Sequence, residues 1–207
     1  MAMKRILLIN PNTDASTTQA MLAIARESVT NRVAIEAITA PTGVPMITHP
    51  VALREAGEAL ATMIPQLCQQ GWDGVITAAY GDPALEALRE ALPCPVTGIG
   101  EASMFEAAQF GDFAVVTTTP DLAPSITSMA ERLHLTPQFQ GVFLTNGDAI
   151  EVTRDPVLLI ELLEAACMQA LNKAPIAPAS LIIGGGPLAS AARALTSRIP
   201  VRPVSYT

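Results

Sequence analysis

Short apolar runs alternate with amphipathic stretches along the whole chain. Apolar residues at three- and four-residue steps predict helices with one buried face, whereas runs of four to eight residues rich in Val, Ile and Leu predict buried strands. The predicted strands are 5–10, 32–39, 74–77, 95–99, 113–118, 139–144, 180–185 and 200–205. The predicted helices are 17–29, 51–69, 82–92, 101–110, 120–133, 155–171 and 188–195. Strands that alternate with helices indicate parallel sheets joined by crossover helices.

The two halves of the chain share one plan, in which an apolar strand leads through a polar turn into a helix. This plan is found in "LLINPNTD" (7–14) and again in "VVTTTPDL" (115–122). It is found a second time in "VITAAYGDPAL" (75–85) and in "LIIGGGPLAS" (181–190). The repetition predicts an α/β protein with two pseudo-symmetric, Rossmann-like domains, each built on a parallel sheet.

The predicted boundary between the two domains lies near residue 95. We assign 1–95 to the first domain and 96–199 to the second, with 200–207 as a candidate segment to return to the first. Ligands of open α/β sheets bind outside the carboxyl ends of the strands. We therefore expect the ligand to bind in a cleft between the two domains.

The composition is that of an acidic globular protein. Half of the 207 residues are hydrophobic, and 12 Lys and Arg against 19 Asp and Glu give a net charge of −7. Without a basic cluster, the chain is not expected to bind nucleic acid, which requires neutralisation of phosphates. No apolar run approaches the roughly 20 residues that span a bilayer, and "NPNT" follows the first run in place of a cleavage site. We expect a cytoplasmic protein without a membrane partner. The apolar residues of 157–170 favour a homo-oligomer as well as a packed core.

The sequence predicts neither a metal centre nor a nucleotide cofactor. The side chains that bind zinc most readily are few and far apart: Cys68, Cys94, Cys167, His49 and His134. Their spacing matches neither a zinc site nor a disulfide framework. The three glycines of 184–186 do not form the G-x-G-x-x-G pattern of dinucleotide-binding turns.

The turn "INPNT" (9–13) places two amides and a hydroxyl between a strand and a helix. Side-chain amides and backbone N–H groups at such a turn can hold an anion such as a carboxylate, so Asn10 and Asn12 are candidate binding residues. The same residue types also form turns, and Asn12 or Thr13 could cap the following helix. Both interpretations stay open at this point.

The turn "AAYGDP" (78–83) carries two titratable side chains. Asp82 precedes a proline and is typical of a helix N-cap, with a catalytic acid or base as the alternative. Tyr80 could face a ligand or lie in the core.

The second half ends two of its strands with residue types that suit ligand contact. Thr117, Thr118 and Thr119 place hydroxyl groups at one strand end, although Thr119 before a proline is also a natural N-cap. Gly185 and Gly186 open the backbone for close approach at another strand end.

Together these motifs resemble the Asp/Glu/hydantoin racemase superfamily, and especially its hydantoin and allantoin racemase branch. The matching segments occur in the family order and are "INPNT" (9–13), "GVP" (43–45), "YGDPAL" (80–85), "GIGEA" (98–102), "VVTT" (115–118) and "IIGGGPLA" (182–189). The resemblance implies two α/β domains with the site in the cleft between them. It also implies proton transfer, without a cofactor, at a carbon next to a carbonyl or carboxylate.

In the family that this chain resembles, one cysteine removes the α-proton and a second returns a proton on the opposite face. Those cysteines correspond here to Ala79 and Gly185, which we expect to face each other across the cleft. A methyl group and a hydrogen atom cannot carry a proton, so racemisation by two thiols is excluded at these positions. Gly185 also removes the single thiol of the related arylmalonate decarboxylases.

The resemblance leaves an anion-binding cradle without its thiols. It consists of Asn10, Thr117, Thr118 and the backbone of Ala79, Tyr80 and Gly81. Thr119 falls where the decarboxylases have a tyrosine in the group that binds the developing dioxyanion. Well-placed donors of this kind stabilise an enolate by about 3–4 kcal/mol each. Asp82 and Tyr80 are the nearest candidates for a replacement base.

The leading hypothesis is a cofactor-independent, racemase-like isomerase that acts at the α carbon of a small amino-acid, hydantoin-like or dicarboxylate substrate. The first alternative is a decarboxylase or lyase of the same superfamily. The second is a non-catalytic relative that binds a carboxylate, and the third is an engineered chain whose active-site cysteines were replaced. A NAD-binding protein is the most distant alternative because the glycine spacing is wrong.

Overall fold

A computed structural model describes residues 3–204, which divide into two compact units. The first unit ends at Ile99 and the second begins at Gly100. Each unit contains a four-stranded sheet in which every pair of neighbouring strands is parallel. The α/β class with two parallel-sheet domains is therefore confirmed. In the part of the chain that the structure describes, none of the helices combines the length and apolar character that crossing a membrane demands.

The first unit alternates strands and helices. Its elements are β1 (Lys4–Asn10), α1 (Ala15–Glu27), β2 (Val33–Thr39), α2 (Pro50–Leu67), β3 (Gly74–Thr77), α3 (Leu85–Ala91) and β4 (Val96–Gly98). The strand order is β2-β1-β3-β4. Because β1 is central, residues on both of its faces are buried, and this explains the unbroken apolar run of Leu7, Leu8 and Ile9.

The second unit repeats this plan. Its elements are α4 (Ile99–Ala108), β5 (Phe113–Thr117), α5 (Ala123–Arg132), β6 (Phe139–Leu144), α6 (Ala149–Arg154), α7 (Pro156–Lys173), β7 (Ser180–Ile183), α8 (Ala189–Leu195) and β8 (Arg202–Val204). Short 3₁₀ turns, Pro120–Leu122 and Gly186–Leu188, precede α5 and α8. The strand order is β6-β5-β7-β8, with the fully buried β5 as the counterpart of β1.

The equivalent strand orders place equivalent turns at the carboxyl ends of the two sheets. The turns after β1 and β3 in the first unit correspond to the turns after β5 and β7 in the second. These are the four segments whose similarity the sequence shows. The repetition seen in the sequence is thus a repetition of topology.

Two helices of the second unit begin directly after an aspartate whose side chain caps them. Asp155 accepts hydrogen bonds from Val157 and Leu158 at the start of α7, and Pro156 occupies the first helical position. Asp148 caps α6 in the same way. The hydrophobic pattern does not predict α6, because six residues are too few to show a helical period.

Three expectations need correction. The boundary expected near residue 95 would place β4 in the second domain, yet β4 pairs with β3 in the first sheet and the first unit ends at Ile99. The helix expected at 82–92 begins only at Leu85, because Asp82 and Ala84 have left-handed backbone angles, with φ of 49° and 59°. The segment 200–207 was a candidate to return to the first domain, yet β8 pairs with β7 in the second sheet. Residues 205–207 of that segment lie outside the described residues.

Candidate functional site

The first sheet brings two of the polar turns together at its carboxyl edge. The N–H of Ala78 donates to the Ile9 carbonyl at 2.8 Å, so the residues that follow β1 lie beside the residues that follow β3. Asn10 and Asn12 thus neighbour the turn of residues 79–82. This edge of the first unit is called the first donor cluster below, and it comprises Asn10, Asn12 and residues 79–82.

Asn10 is fully buried and bonded within the first donor cluster. Its Nδ2 donates to Asn12 Oδ1 at 2.7 Å, to Thr18 Oγ1 at 2.9 Å and to the Asp14 carbonyl at 3.1 Å. Its Oδ1 accepts the N–H of Asn12 at 3.2 Å. Three acceptors already share the two amide hydrogens. Direct ligand binding by this amide would cost one of these bonds, so the structure favours a supporting role for Asn10.

Asn12 has an orientation that its neighbours determine. Its Oδ1 accepts from the Asn10 amide and from the backbone N–H of Asp14 at 2.9 Å. Because a backbone N–H is always a donor, the atom facing it must be the amide oxygen. The Asn12 Nδ2 therefore points away from the network, and it has no hydrogen-bond partner among residues 3–204. Asn12 thus offers an N–H donor at the strand end.

Capping of α1 is not the task of Asn12 or Thr13. Asp14 is the N-cap, and its carboxylate accepts bonds from the Ser16 N–H and from the Ser16 and Thr17 hydroxyls. These hydroxyl bonds hold the pKa of Asp14 below its usual value. The capping interpretation of Asn12 and Thr13 was therefore wrong, because the helix begins one residue after Asp14.

A hydroxyl bond joins this network to the end of β2. Thr18 Oγ1 lies 2.7 Å from Thr39 Oγ1. Thr18 is the residue that also accepts from the Asn10 amide. Buried polar groups that satisfy one another in this way hold a single geometry. Here the series of hydrogen bonds through Thr39, Thr18 and Asn10 fixes the Asn12 carboxamide.

The turn of residues 79–82 closes through a bond from the Asp82 N–H to the Ala79 carbonyl at 3.0 Å. Gly81 adopts a φ of 122°, which a side chain would disfavour. Ala79 and Tyr80 are both buried, with exposed fractions of 8% and 6%. The methyl group of Ala79 is thus the side chain that this turn holds where the resemblance locates a family cysteine.

The sequence predicts that Asp82 caps the helix after it, but in the structure Asp82 does not cap α3. Ala84 is the residue before that helix, and it makes no side-chain capping bond. The Asp82 carboxyl is buried against Gly98, so closely that a methyl group at Gly98 would overlap it. Asp82 has a left-handed φ of 49°, and its side chain lies against Gly98, the residue directly before α4.

The second sheet gathers three strand ends in the same manner. The N–H of Thr145 donates to the Thr117 carbonyl at 3.1 Å, and the N–H of Gly184 donates to the Val116 carbonyl at 2.8 Å. These bonds place the turns after β5, β6 and β7 side by side. This edge is called the second donor cluster below, and it comprises residues 117–119, Thr145 and residues 184–186.

Threonine hydroxyls are concentrated and buried in the second donor cluster. Thr117, Thr118 and Thr119 are all buried, and Thr117 Oγ1 lies 3.1 Å from Thr119 Oγ1. Thr119 occupies the N-cap position of the 3₁₀ turn that follows it, as expected, but its side chain makes no capping bond there. Its hydroxyl is held by Thr117 instead.

Gly185 has a backbone that suits glycine and opposes a cysteine. Its φ is 157°, which side chains rarely adopt. A Cβ at this position would lie 2.9 Å from Leu188 Cδ1 and 3.0 Å from Leu188 Cγ, closer than real Cβ contacts. Leu188 is buried, so it has little freedom to move. A cysteine at this position would therefore strain the backbone and require the Leu188 side chain to shift.

Two of the chain's own thiols, those of Cys94 and Cys167, are poorly suited to replace the missing pair. Burial, with a contribution from Glu164, raises the pKa of the Cys167 thiol to about 12. Burial also raises the pKa of the Cys94 thiol. Both are thus neutral near pH 7 and poor proton acceptors. Across residues 3–204 there is no group of three or more His, Cys, Asp or Glu side chains that could hold a metal ion.

Thr145 is the member of the second donor cluster that the sequence analysis missed. Its hydroxyl is buried, and no hydrogen-bond partner for it exists within residues 3–204. A signal was available, because Thr145 follows the predicted strand 139–144 as Thr118 and Thr119 follow theirs. Only the alignment of strand ends shows that these threonines are neighbours.

Two parallel-sheet units with equivalent strand orders, each with buried polar side chains at its carboxyl edge, define a two-domain α/β protein. The chain belongs to the Asp/Glu/Hydantoin racemase family, whose model matches residues 6–206. It is 27% identical to a hydantoin racemase of Paenarthrobacter aurescens over an alignment 207 residues long, which covers 95% of this chain and 84% of that protein.

Solved structures agree with this assignment. The allantoin racemase from Klebsiella pneumoniae is similar with a TM-score of 0.90 and 28% identity, over 97% of this chain and 82% of that one. The allantoin racemase from Pseudomonas fluorescens is similar with a TM-score of 0.90 and 27% identity, over 98% and 85% of the two chains. These relatives indicate an isomerase of the racemase type.

Proposed function

We propose that this protein is a cofactor-independent enzyme that acts at the α carbon of a small hydantoin-like, amino-acid or dicarboxylate substrate. The observation that carries the proposal is the fixed orientation of Asn12. Its Oδ1 is engaged by Asn10 and Asp14, so its Nδ2 offers a donor to a ligand. The partner of an N–H donor is an acceptor, and carbonyl and carboxylate oxygens are the acceptors such substrates carry.

Donors held in this way favour the enolate over the neutral substrate. When the α-proton leaves, negative charge develops on the adjacent oxygen, and a fixed N–H or O–H donor binds that charge more strongly than the neutral carbonyl. The Asn10, Thr18 and Thr39 contacts keep Asn12 in place before the reaction begins. Such a donor needs little reorganisation as the charge appears.

The proton carrier of this proposal is not a thiol at position 79 or 185. Ala79 and Gly185 have no titratable atom, so a carboxylate, a phenol or a bound water must take the α-proton. Asp82 and Tyr80 are the titratable residues of the first donor cluster and are retained as candidates. Asp82→Asn tests whether Asp82 is the base, because this change keeps the shape of the side chain and removes its basicity.

The reaction is tested by hydrogen exchange at the α carbon. Allantoin, 5-methylhydantoin, aspartate and phenylmalonate are incubated with the protein in D₂O, and the α-proton signal is followed by NMR. Loss of this signal, or decarboxylation of phenylmalonate, at a rate above that of the protein-free sample identifies an enolising enzyme. Retention of all signals at high protein concentration contradicts the proposal.

Asn12→Asp gives a sharper test of the donor. The aspartate keeps an oxygen for the Asp14 N–H and replaces the outward N–H donor with a negatively charged acceptor. We expect binding of the carbonyl or carboxylate ligand to weaken at least tenfold, because a repulsive contact replaces an attractive one. Asn31→Asp, at an exposed position of the same unit, is the charge-matched control. Equal affinity in the Asn12 and Asn31 variants would show that Asn12 does not contact the ligand.

A second function, a binding protein without catalysis, is favoured by one observation. The backbone at Gly185 and the side chain of Leu188 leave no room for a second thiol without rearrangement. A protein that binds allantoin, 5-methylhydantoin or aspartate in calorimetry, yet exchanges no α-proton in D₂O, is such a relative.

A further inference from the structure

The hydroxyl groups of the second donor cluster have more hydrogens than acceptors. Thr117 and Thr119 share one hydrogen bond, so one of their two hydroxyl hydrogens is used. Thr145 Oγ1 is buried and has no hydrogen-bond partner in the described chain. Since none of these three threonines makes a further side-chain bond within residues 3–204, two hydroxyl hydrogens are left without an acceptor.

A buried hydroxyl without a partner is unfavourable, and packing alone does not explain it. Valine has almost the same shape as threonine and would fill the space at Thr145 without burying a polar atom. The Thr145 backbone cannot use the hydroxyl either, since its N–H already donates to the Thr117 carbonyl. In native proteins a group of this kind needs an explanation, and a bound ligand or a water molecule supplies one.

The position of Thr145 connects this hydroxyl to the edge where a ligand of the second sheet would bind. Thr145 directly follows β6, and its N–H bond to the Thr117 carbonyl places it beside the end of β5. Ligands of parallel α/β sheets bind at this end of the strands. On the other side of β5, residues 184–186 contribute glycine backbone and no side chain beyond Cα.

We propose that Thr145 is a ligand-binding residue, whose hydroxyl donates to a carbonyl or carboxylate oxygen together with the remaining hydroxyl hydrogen of Thr117 and Thr119. The inference rests on the proposed function, in that it takes the same class of ligand. It adds a donor that recognises acceptor oxygens at the carboxyl end of the second sheet. None of residues 117–119, 145 and 184–186 carries a charge, so these donors serve neutral carbonyls as well as carboxylates.

The experiment compares Thr145→Val, which removes the hydroxyl, with Thr145→Ser, which retains it. Dissociation constants for allantoin, 5-methylhydantoin, aspartate and phenylmalonate are measured by calorimetry. We expect Thr145→Val to weaken the ligand that the unaltered protein binds by about ten- to a hundredfold, as for loss of one well-placed hydrogen bond. Thr145→Ser should stay within about threefold. Thr127→Val, at an exposed helical position of the same unit, is the control and should not change affinity.

Thermal unfolding supplies a reading that does not depend on a ligand. A hydroxyl without a protein partner contributes nothing to the free chain, so Thr145→Val should keep or raise the melting temperature. A clear fall in melting temperature, or unchanged affinity in Thr145→Val, overturns the role of Thr145. In the second case the proposed function stands, because the unaltered protein still binds. If the unaltered protein binds none of the four compounds, the proposed function and the role of Thr145 both fall.

Discussion

The carboxyl group of Asp82 lies against the Cα of Gly98, two residues that the sequence separates by a helix and a strand. The left-handed backbone at Asp82 directs the side chain there, and the absence of a Cβ at Gly98 admits it. The position of the Asp82 carboxyl therefore explains why residue 98 is a glycine, and the glycine explains how the carboxyl fits there. The pair joins the turn after β3 to the end of β4 within the first unit.

Gly98→Ala should destabilise the protein because the new methyl group would overlap the Asp82 carboxyl. Overpacking of a buried position costs typically about 1–3 kcal/mol of unfolding free energy. Urea denaturation measures the change. Gly57→Ala is the matched control, since Gly57 lies within α2 and its added Cβ would make only ordinary contacts, the nearest at 3.4 Å. A Gly98 variant as stable as the unaltered protein would show that the side chain of Asp82 moves freely.

Asp14→Ala should cost about 1 kcal/mol of stability at pH 7, because it removes the N-cap of α1. The backbone groups of Asp14 that bond to Asn10 and Asn12 remain in this variant, so we expect the loss to appear in stability. Asp121→Ala is the control, since Asp121 is exposed and caps no helix. An Asp14 variant indistinguishable from the Asp121 variant in urea denaturation would contradict the capping role.

The stabilisation by Asp14 should depend on pH in one direction. Bonds from Thr17 and Ser16 lower the pKa of Asp14 in the folded protein below the ordinary value of 3.8. The unfolded chain therefore binds the proton more readily, and the contribution is complete above pH 3.8 and is lost as the pH falls through the folded pKa. The difference between the unaltered protein and Asp14→Ala should thus narrow below about pH 3.8. A stability difference between the two proteins that widens on acidification would contradict the lowered pKa of Asp14.

Gly185→Cys should destabilise the second unit because the new Cβ would press on Leu188 and the φ of 157° disfavours a side chain. We expect a loss of about 1–3 kcal/mol. In a Leu188→Ala background the cost of the cysteine should be smaller, since the contact is gone, and a double-mutant cycle in urea measures this coupling. Additive effects would mean that the two residues do not meet.

Restoring both family cysteines therefore requires more than two substitutions. Ala79→Cys with Gly185→Cys places the thiols at the positions that the resemblance indicates, yet Leu188 opposes one of them. We expect exchange of the α-proton in D₂O to rise further when Leu188→Ala is added, provided the triple variant is folded by circular dichroism. Equal exchange by the double and triple variants would show that Leu188 does not limit the site.

Alkylation should distinguish Cys68 from Cys167. Cys68 is exposed and Cys167 is buried, and burial raises the pKa of the Cys167 thiol to about 12. At pH 8 the thiolate of Cys167 is scarce, so iodoacetamide should modify Cys68 first, as mass spectrometry of peptides would show. Since Cys68 is a member of neither donor cluster, its modification should leave α-proton exchange unchanged. Labelling of Cys167 at the rate of Cys68 would contradict the burial.

Local patterns determined most of the fold. The order and type of the strands and the long helices follow from hydrophobic periodicity, and the Asp155-Pro156 start of α7 follows from capping chemistry, because both signals act over a few neighbouring residues. The motifs also indicated the family. The turns after β1, β3, β5 and β7 could be selected as candidate sites because parallel strands place their carboxyl ends on one edge.

Only the tertiary structure shows which hydrogen bonds the residues in those turns make. Sequence alone treated Asn10 and Asn12 alike, yet one supports the turn and the other presents a donor, because hydrogen bonds from Asp14 and Thr18 decide the orientation of each amide. The sequence predicted Asp82 as a helix cap, but its backbone is left-handed and its carboxyl group lies against Gly98. Thr145 was not selected at all, since its unpartnered hydroxyl depends on neighbours that are distant in the chain. Hydrogen-bond partners and left-handed angles arise from packing between elements, and no short pattern of residues encodes them.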